Sequence, residues 1–363
     1  MFLTIVIFIF ILSVLVLVHE FGHFIVAKKS GAKVEEFGVG FPPRIFGIKI
    51  GETVYSVNLF PIGGFVRIYG EEGEDSKNSR SFASKSISVR SLIVASGILM
   101  NLALAVILFS VGYAVGLPQA FYEGDIPDNV RNISVRIAYI AEDSPASRAD
   151  INLGDRIVGM KAGMDELEEV KSIEDVKSFT SSHLEEDVRL FMKRGKTLFE
   201  TSVVPRSNHP ENEGAIGIEM ALVGDVFYPL HIAPLKGIET TFLFTIATAE
   251  AFKDMVSDFL FRGVVEEEVS GPVGIFMLTG EVRQLGSIFV LQFIALISIN
   301  LAIINSIPFP ALDGGRILFF AIEAIKGSPV NRKYEKIAHT VGFYMLIALV
   351  ILITFRDVGK LFP

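Results

Sequence analysis

Four long apolar stretches divide this chain of 363 residues, and each is long enough to form a helix that crosses a membrane. They comprise residues 1–26, about 91–117, about 287–307 and about 338–354. Because an α-helix rises about 1.5 Å per residue, roughly 20 apolar residues cross a hydrocarbon core of about 30 Å. The pattern therefore predicts an α-helical polytopic membrane protein with four transmembrane helices.

A fifth segment, residues 238–261, has a weaker apolar pattern. Phe242, Phe252 and Val256 fall near helical spacing, but charged side chains such as Glu239 and Lys253 interrupt the run. A helix with one apolar and one charged face lies along the membrane surface. We expect an amphipathic surface helix here, and the sequence leaves a fifth crossing open as the alternative.

Basic residues are concentrated in two of the connecting segments. Between the first two stretches lie Lys28, Lys29, Lys33, Arg44, Lys49, Arg67, Lys77, Arg80, Lys85 and Arg90, and between the last two lie Arg316, Lys326, Arg332, Lys333 and Lys336. Cytoplasmic loops of membrane proteins carry an excess of Lys and Arg. We therefore expect both basic loops in the cytoplasm, and the N-terminus and residues 118–286 on the opposite side.

The first stretch has one alternative interpretation, a cleaved signal peptide. Such a peptide begins with a basic region and ends at small residues that are cleaved. Neither feature is present, and His19 and Glu20 lie inside the segment. A membrane helix is favoured.

Composition narrows the function further. Half of the residues are hydrophobic, the mean hydropathy is +0.50 and only 20% are charged, which excludes an ordinary soluble enzyme. The net charge of −8 gives no basic excess for a nucleic-acid partner. The chain has no cysteine, so any metal must be held by His, Asp or Glu.

The end of the first stretch carries an HExxH motif, His19-Glu20-Phe21-Gly22-His23. Positions i and i+4 of a helix lie on one face, so the two imidazoles can share a zinc ion with Glu20 beside them as general base. Ionisable groups in a membrane segment are costly unless they face a polar cavity or a ligand. The motif therefore predicts a metal site within the membrane, against the alternative of a chance pair of histidines.

A third protein ligand is expected elsewhere, because catalytic zinc sites use three. Residues 305–316 (NSIPFPALDGGR) follow the third stretch on the side where His19 and His23 lie. Their prolines break the helix, and irregular backbone at membrane depth is tolerated where it lines a cavity. Asp313 is our candidate ligand, against the alternative of a solvated turn residue.

Together these motifs resemble the site-2 protease family of intramembrane zinc metalloproteases, in its bacterial branch that includes the regulator-of-sigma-E protease. Further segments resemble the family in the same order: residues 37–41 and 55–66, its membrane-associated β-hairpin; 97–101 (GILMN), its GPxxN element with Ile98 in place of proline; and 270–275 (SGPVGI). The resemblance covers nearly the whole chain.

The resemblance implies that His19, His23 and Asp313 bind Zn²⁺ and that Glu20 activates water. It also implies that Asn305 and Asn101 hold the substrate strand or the developing oxyanion. For Asn101 the alternative is a buried amide that only joins two helices. We expect Pro308, Gly63 and Gly64 in the substrate-binding region. A substrate helix must become extended before cleavage, and residues 51–69 offer an edge strand for it, with Gly63-Gly64 allowing a turn. His339, at the start of the last stretch, is expected to be an ordinary interfacial residue.

Residues 144–158 (SPASRADINLGDRIV) resemble part of a PDZ domain, and residues 172–176 predict the start of its groove helix. The expected fold is thus four transmembrane helices and a membrane-associated β-hairpin with an inserted extracytoplasmic α+β PDZ domain at about 133–206. The domain boundaries are 1–117 for the first membrane half, 118–232 for the PDZ-containing region, 233–286 for the amphipathic segment and 287–363 for the second membrane half.

The expected function is hydrolysis of peptide bonds within or near transmembrane segments of other proteins. By resemblance, the substrates are anti-sigma factors or remnant signal peptides, and the location is the bacterial cytoplasmic membrane with the active site near its cytoplasmic side. Expected partners are transmembrane substrates, the lipid bilayer and a chain terminus at the PDZ groove. A non-catalytic membrane PDZ scaffold is the alternative; a transporter has no inverted repeat to support it.

Overall fold

The computed structural model describes residues 1–71, 75, 77–122, 124, 126–210, 213–263 and 270–359. The helices are α1 (Phe2–Lys29), α2 (Ile87–Val115), α3 (Ile173–Ser182), α4 (Ala233–Arg262), α5 (Pro272–Leu285), α6 (Ser287–Ser306), α7 (Asp313–Lys326) and α8 (Arg332–Gly359). The strands are β1 (Val34–Ile50), β2 (Thr53–Ile68), β3 (Leu117–Phe121), β4 (Val130–Ile140), β5 (Arg156–Ala162), β6 (Glu168–Glu169), β7 (Val188–Arg194), β8 (Thr197–Val203) and β9 (Ile218–Val226).

Among the described residues, four helices are long and apolar enough to cross a membrane. They are α1, α2, α6 and α8, and they coincide with the four apolar stretches of the sequence. The last of them begins six residues earlier than expected, because a charged turn from Arg332 precedes its apolar part. The segment expected to be amphipathic forms α4, which carries too many charges to join this set.

Local sequence explains where the helices begin and end. α1 ends at Lys28 and Lys29, whose charges suit the negative end of the helix dipole. α7 has Asp313 in its first turn and is followed by Gly327 in the left-handed conformation (φ 74°), a common stop signal. α3 begins where the sequence predicted a helix start, and it has a capping box in which Ser172 and Asp175 satisfy each other's backbone N–H groups.

The chain divides into two compact units. The first consists of residues 1–108, 237–279 and 294–363, and the second of residues 109–236 and 280–293. In the first unit, α1 approaches α2 closely, because a Cβ atom on Gly22 would lie 2.3 Å from the Ser96 carbonyl oxygen. Small residues permit such close approach between membrane helices. This contact brings the HExxH segment against α2.

The β1–β2 sheet is more complex than the expected hairpin. Val34 pairs with Ile68 and Ile50 with Thr53, so the turn between the strands lies at residues 51–52. Residues 37–39 of β1 pair with 64–66 of β2 and also with 55–57, because both strands bend sharply. Gly63 has a positive φ of 75°, which only glycine adopts freely, and it marks the bend in β2. The Gly63-Gly64 pair thus lies at an internal bend.

The second unit contains a seven-stranded sheet and α3. Its strand order is β3-β9-β4-β5-β7-β8, with β6 paired to β5. Alternate residues of β7, including Leu190 and Met192, face a core that also contains Phe179 of α3. This burial of alternate strand positions on one face is what the period of two in a β-strand allows. From β5, Ile157 and Met160 enter the same core, and their odd spacing accompanies a register shift between Ile157 and Gly159.

Candidate metal centre

The HExxH residues lie near the end of α1. His19 and His23 are one helical turn apart on the same face, and both are buried. Their Nε2 atoms are 3.1 Å apart. Helical periodicity alone produces this pairing, because residues i and i+4 are neighbours on a helix surface.

Asp313 completes a cluster of three metal-ligating side chains. Its Oδ2 atom lies 2.9 Å from Nε2 of His19 and 3.4 Å from Nε2 of His23. Asp313 is the first residue of α7, after a turn formed by residues 307–312. The aspartate side chain is 17% exposed, so the cluster is largely shielded from water.

The three atoms fit a zinc ion. Tetrahedral coordination at bond lengths of about 2.0–2.2 Å separates neighbouring ligand atoms by roughly 3.3 Å, and the observed separations are 2.9, 3.1 and 3.4 Å. Within the described part of the chain, Oδ2 of Asp313 accepts no hydrogen bond although it is buried. Buried polar atoms are normally satisfied. A cation held by two imidazoles and one carboxylate satisfies this one.

The Nδ1 atoms of both histidines also have hydrogen-bond partners. Nδ1 of His23 lies 2.8 Å from the carbonyl oxygen of Ile93 in α2. A carbonyl only accepts, so Nδ1 carries the proton and Nε2 keeps its lone pair for a metal. Nδ1 of His19 lies 3.3 Å from the side-chain amide of Asn101, also in α2. Both imidazoles are therefore oriented by the neighbouring helix.

Glu20 is held by the β1–β2 sheet. The backbone N–H of Val66 in β2 donates to Oε2 of Glu20 at 3.0 Å. Glu20 lines a cavity of about 340 Å³ together with His19, His23 and Asp313. The carboxylate thus lies beside the candidate metal ligands with its orientation fixed by a strand.

His339 is a part of this cavity that the sequence did not reveal. The sequence indicated only an interfacial polar residue; in the structure His339 lines the cavity, and its Nδ1 atom accepts the backbone N–H of Ala311 at 2.9 Å. Arg316 also lines it and bonds to Glu71. The sequence offered only one signal for Arg316, its place directly after the LDGG segment.

The five residues predicted for substrate binding do not line this cavity. Asn101 is fully buried and contacts His19. Asn305 lies in the last turn of α6 and Pro308 between α6 and α7, and both are outside the cavity lining. A Cβ atom on Gly64 would lie 2.7 Å from Leu17 of α1, so this glycine allows β2 to pack on α1. Contact of these five residues with a substrate stays a prediction.

These features define the class of protein as a membrane-bound zinc hydrolase. They are the candidate membrane helices, the cluster of two histidines and one aspartate, and the glutamate beside that cluster. Comparison with known proteins agrees. The sequence profile described as Peptidase family M50 matches residues 7–349. A Clostridium perfringens protein named as a zinc metalloprotease is 34% identical, over 97% of this chain and 96% of its own.

Two further relatives align with this chain over more positions and at lower sequence identity. The regulator of sigma-W protease RasP of Bacillus subtilis is 29% identical over 99% of both chains. Zinc metalloprotease RasP of Geobacillus kaustophilus is 26% identical over 99% of this chain and 98% of its own. The chain belongs to peptidase family M50, the site-2 proteases, and it is an intramembrane zinc metalloprotease. The alternative of a non-catalytic scaffold is wrong.

Proposed function

We propose that His19, His23 and Asp313 bind the catalytic zinc ion and that Glu20 is the general base. The observation that carries this proposal is the convergence of three ligand atoms within 2.9–3.4 Å, with Glu20 lining the same cavity. When bound, zinc lowers the pKa of a water molecule toward about 7 and polarises a carbonyl. Glu20 takes the proton of the attacking water and delivers it to the leaving amine.

Val66 positions this glutamate for that task. Its N–H donates to one carboxylate oxygen of Glu20 and leaves the other oxygen for the water. The same bond directs the N–H of Val66 in β2 toward Glu20 of α1, which supports placing this edge of β2 beside the proposed site. We propose that an extended substrate adds to this edge, since β-strand addition supplies backbone hydrogen bonds to an unwound segment.

Asn101 supports the site through His19. A rotation of the side-chain amide by about 180° exchanges its oxygen and nitrogen, so the oxygen can accept a hydrogen bond from Nδ1 of His19. Nε2 of His19 is then free to bind zinc. Among the described residues, no hydrogen-bond donor reaches the buried Oδ1 atom of Asn101. Its backbone oxygen accepts the hydroxyl of Ser298 in α6. For Asn305 and Pro308 we keep the role of contacting the substrate.

The substrates we propose are membrane proteins with a single transmembrane segment, cut near its cytoplasmic end. Basic residues around α1, β1 and β2 favour the cytoplasmic side for the loop that carries them. Residues 118–286 then lie outside the cytoplasm, and a bacterial cytoplasmic membrane fits this arrangement. The name of the Bacillus subtilis relative favours regulators of sigma factors as one substrate group, with remnant signal peptides as the other.

Cleavage of a model single-pass substrate by the purified protein tests the catalytic proposal. Glu20→Gln keeps the three ligands, so we expect it to retain zinc and lose activity. Glu142→Gln makes the same chemical change at an exposed site in the second unit and should cleave like the parent. An active Glu20→Gln enzyme would refute the base assignment, and a parent protein that binds no zinc would refute the ligand assignment.

We propose that the second unit contains a PDZ domain at about 133–206. Support comes from a cavity of about 430 Å³ lined by α3 and by β6, the helix-and-strand arrangement expected of a peptide groove. Ser178 is exposed and lines this cavity, whereas Lys177 is exposed beside it and does not.

If the groove captures substrates, Ser178→Trp slows cleavage and Lys177→Trp does not. Equal rates would favour a size filter over capture.

A further inference from the structure

The turn that leads into Asp313 has an unfavourable backbone conformation. Ala311 has φ 81°, in the left-handed region, where the Cβ atom of an L-residue crowds the backbone. Non-glycine residues persist there only when the surrounding structure holds them. Ala311 precedes Asp313 by two residues, so the conformation of this alanine directs the carboxylate.

α8 holds this turn from outside. Nδ1 of His339 accepts the N–H of Ala311 at 2.9 Å. One turn further along α8, Gly342 lies so close to the turn that a Cβ atom would be 2.4 Å from the carbonyl oxygen of Pro310. The His339 ring also packs against Phe319 of α7, with ring centroids 5.4 Å apart. These contacts join α8 to both sides of Asp313.

We propose that His339 is a positioning residue for the metal centre: its Nδ1 atom stabilises the left-handed Ala311 and thereby sets the place of the Asp313 carboxylate. The inference rests on the proposed role of Asp313 as a ligand. Without the bond, the turn populates relaxed conformations in which Asp313 is displaced. The apparent zinc affinity is then the intrinsic affinity multiplied by the fraction of molecules whose turn keeps the zinc-binding conformation.

Two amide substitutions separate the two nitrogens of His339. Asparagine places its oxygen where Nδ1 lies and has nothing at the position of Nε2, whereas glutamine reaches the Nε2 position and leaves that of Nδ1 empty. If Nδ1 is the acting atom, His339→Asn retains the bond to Ala311 and His339→Gln loses it. A role for Nε2 at the cavity would give the reverse order.

The experiment measures zinc affinity of the full-length protein in detergent, by competition with a chelator, and thermal unfolding of the same samples. We expect His339→Gln and His339→Leu to weaken zinc binding about tenfold to a hundredfold, the usual effect of losing a partner behind a ligand. His339→Asn should stay within about threefold of the parent. Asp357→Asn, a change in α8 far along the helix from the turn, controls for general loosening of that helix and should leave zinc affinity unchanged.

A second substitution tests the strain itself. Glycine adopts a positive φ freely, so Ala311→Gly in the His339→Leu background should recover zinc affinity by about fivefold or more. Parent-like affinity in His339→Leu, or equal losses in His339→Asn and His339→Leu, would overturn the inference. If Asp313→Ala left zinc binding intact, the ligand assignment itself would fail, which is a distinct result.

Discussion

Gly97 lies directly against the proposed zinc ligands, and its substitution gives the sharpest test of the site's geometry. A Cβ atom at this position would be 2.5 Å from Nε2 of His23 and 2.7 Å from Nε2 of His19. Ordinary contacts begin at 3.4 Å, so in Gly97→Ala at least one ring must move by about 0.9 Å. Zinc–ligand distances tolerate only about 0.2 Å.

The imidazoles have little freedom to absorb this movement. Nδ1 of His23 is 2.8 Å from the Ile93 oxygen, and Nδ1 of His19 is 3.3 Å from Asn101. Either a bond behind a ligand breaks or the ligand atoms separate. We therefore expect Gly97→Ala to lower zinc affinity about a hundredfold, the upper range for disturbed partners of a metal ligand. Alanine favours a helix over glycine by about 1 kcal/mol, which offsets part of the clash in overall stability.

Zinc affinity by chelator competition and thermal unfolding, measured on one preparation, separate these two effects. Gly112→Ala is the matched control, since it lies in the same helix and its Cβ atom would meet side-chain atoms of Leu117 and Leu291 and neither histidine. It should bind zinc like the parent. If Gly97→Ala also bound zinc with parental affinity, the two rings would not lie against Gly97 and the described centre would be wrong.

Three further substitutions test other parts of the molecule. Asp313→Ala should lower zinc affinity more than about a hundredfold, since a lost ligand costs more than a lost outer partner; equilibrium dialysis measures it, and unchanged affinity would refute the ligand. Asp357→Asn should lower the free energy of unfolding by about 1–2 kcal/mol, because its carboxylate accepts two backbone N–H groups at the start of α5; an unchanged melting temperature would contradict this. The N–H groups of Lys171 and Ser172 hold the pKa of Asp175 below its usual range. A carboxylate whose pKa is lower in the folded than in the unfolded state stabilises the folded state at pH values above its unfolded pKa, and this stabilisation is lost as the pH falls. Asp175→Ala should therefore weaken α3 by about 1 kcal/mol at pH 7 and progressively less below pH about 4. Hydrogen exchange of the α3 amides measures the effect.

The cluster of proposed metal ligands could be predicted from the sequence because local rules place its residues. Helical periodicity alone brings His19 and His23 together. The prolines of residues 305–316 predicted a broken helix, and the aspartate in that break was the remaining ligand type in the right place. The apolar stretches likewise predicted the candidate membrane helices, since length and hydropathy are local properties.

The parts that the sequence did not reveal depend on contacts between distant segments. His339 is 28 residues from Ala311, and no spacing rule connects an imidazole on one helix with a strained turn before another. The double pairing of residues 37–39 requires two strands that bend, and alternation of side chains predicts strands but not their bends. Asn101 was assigned to the substrate by resemblance, yet its place beside His19 follows from the close approach of α1 and α2.

Every proposed catalytic side chain is held by an element other than its own. α2 supplies the partners of both histidines, β2 supplies the N–H that binds Glu20, and α8 supplies the imidazole behind the turn of Asp313. The isolated HExxH helix has none of these contacts, so it would have to lose side-chain freedom on binding zinc, at a cost of about 1–2 kcal/mol for each long polar side chain. The zinc affinity and the orientation of the proposed ligands therefore depend on the packing of the first unit. Substitutions far along the chain, such as those of His339 in α8, should alter a centre whose motif lies in α1.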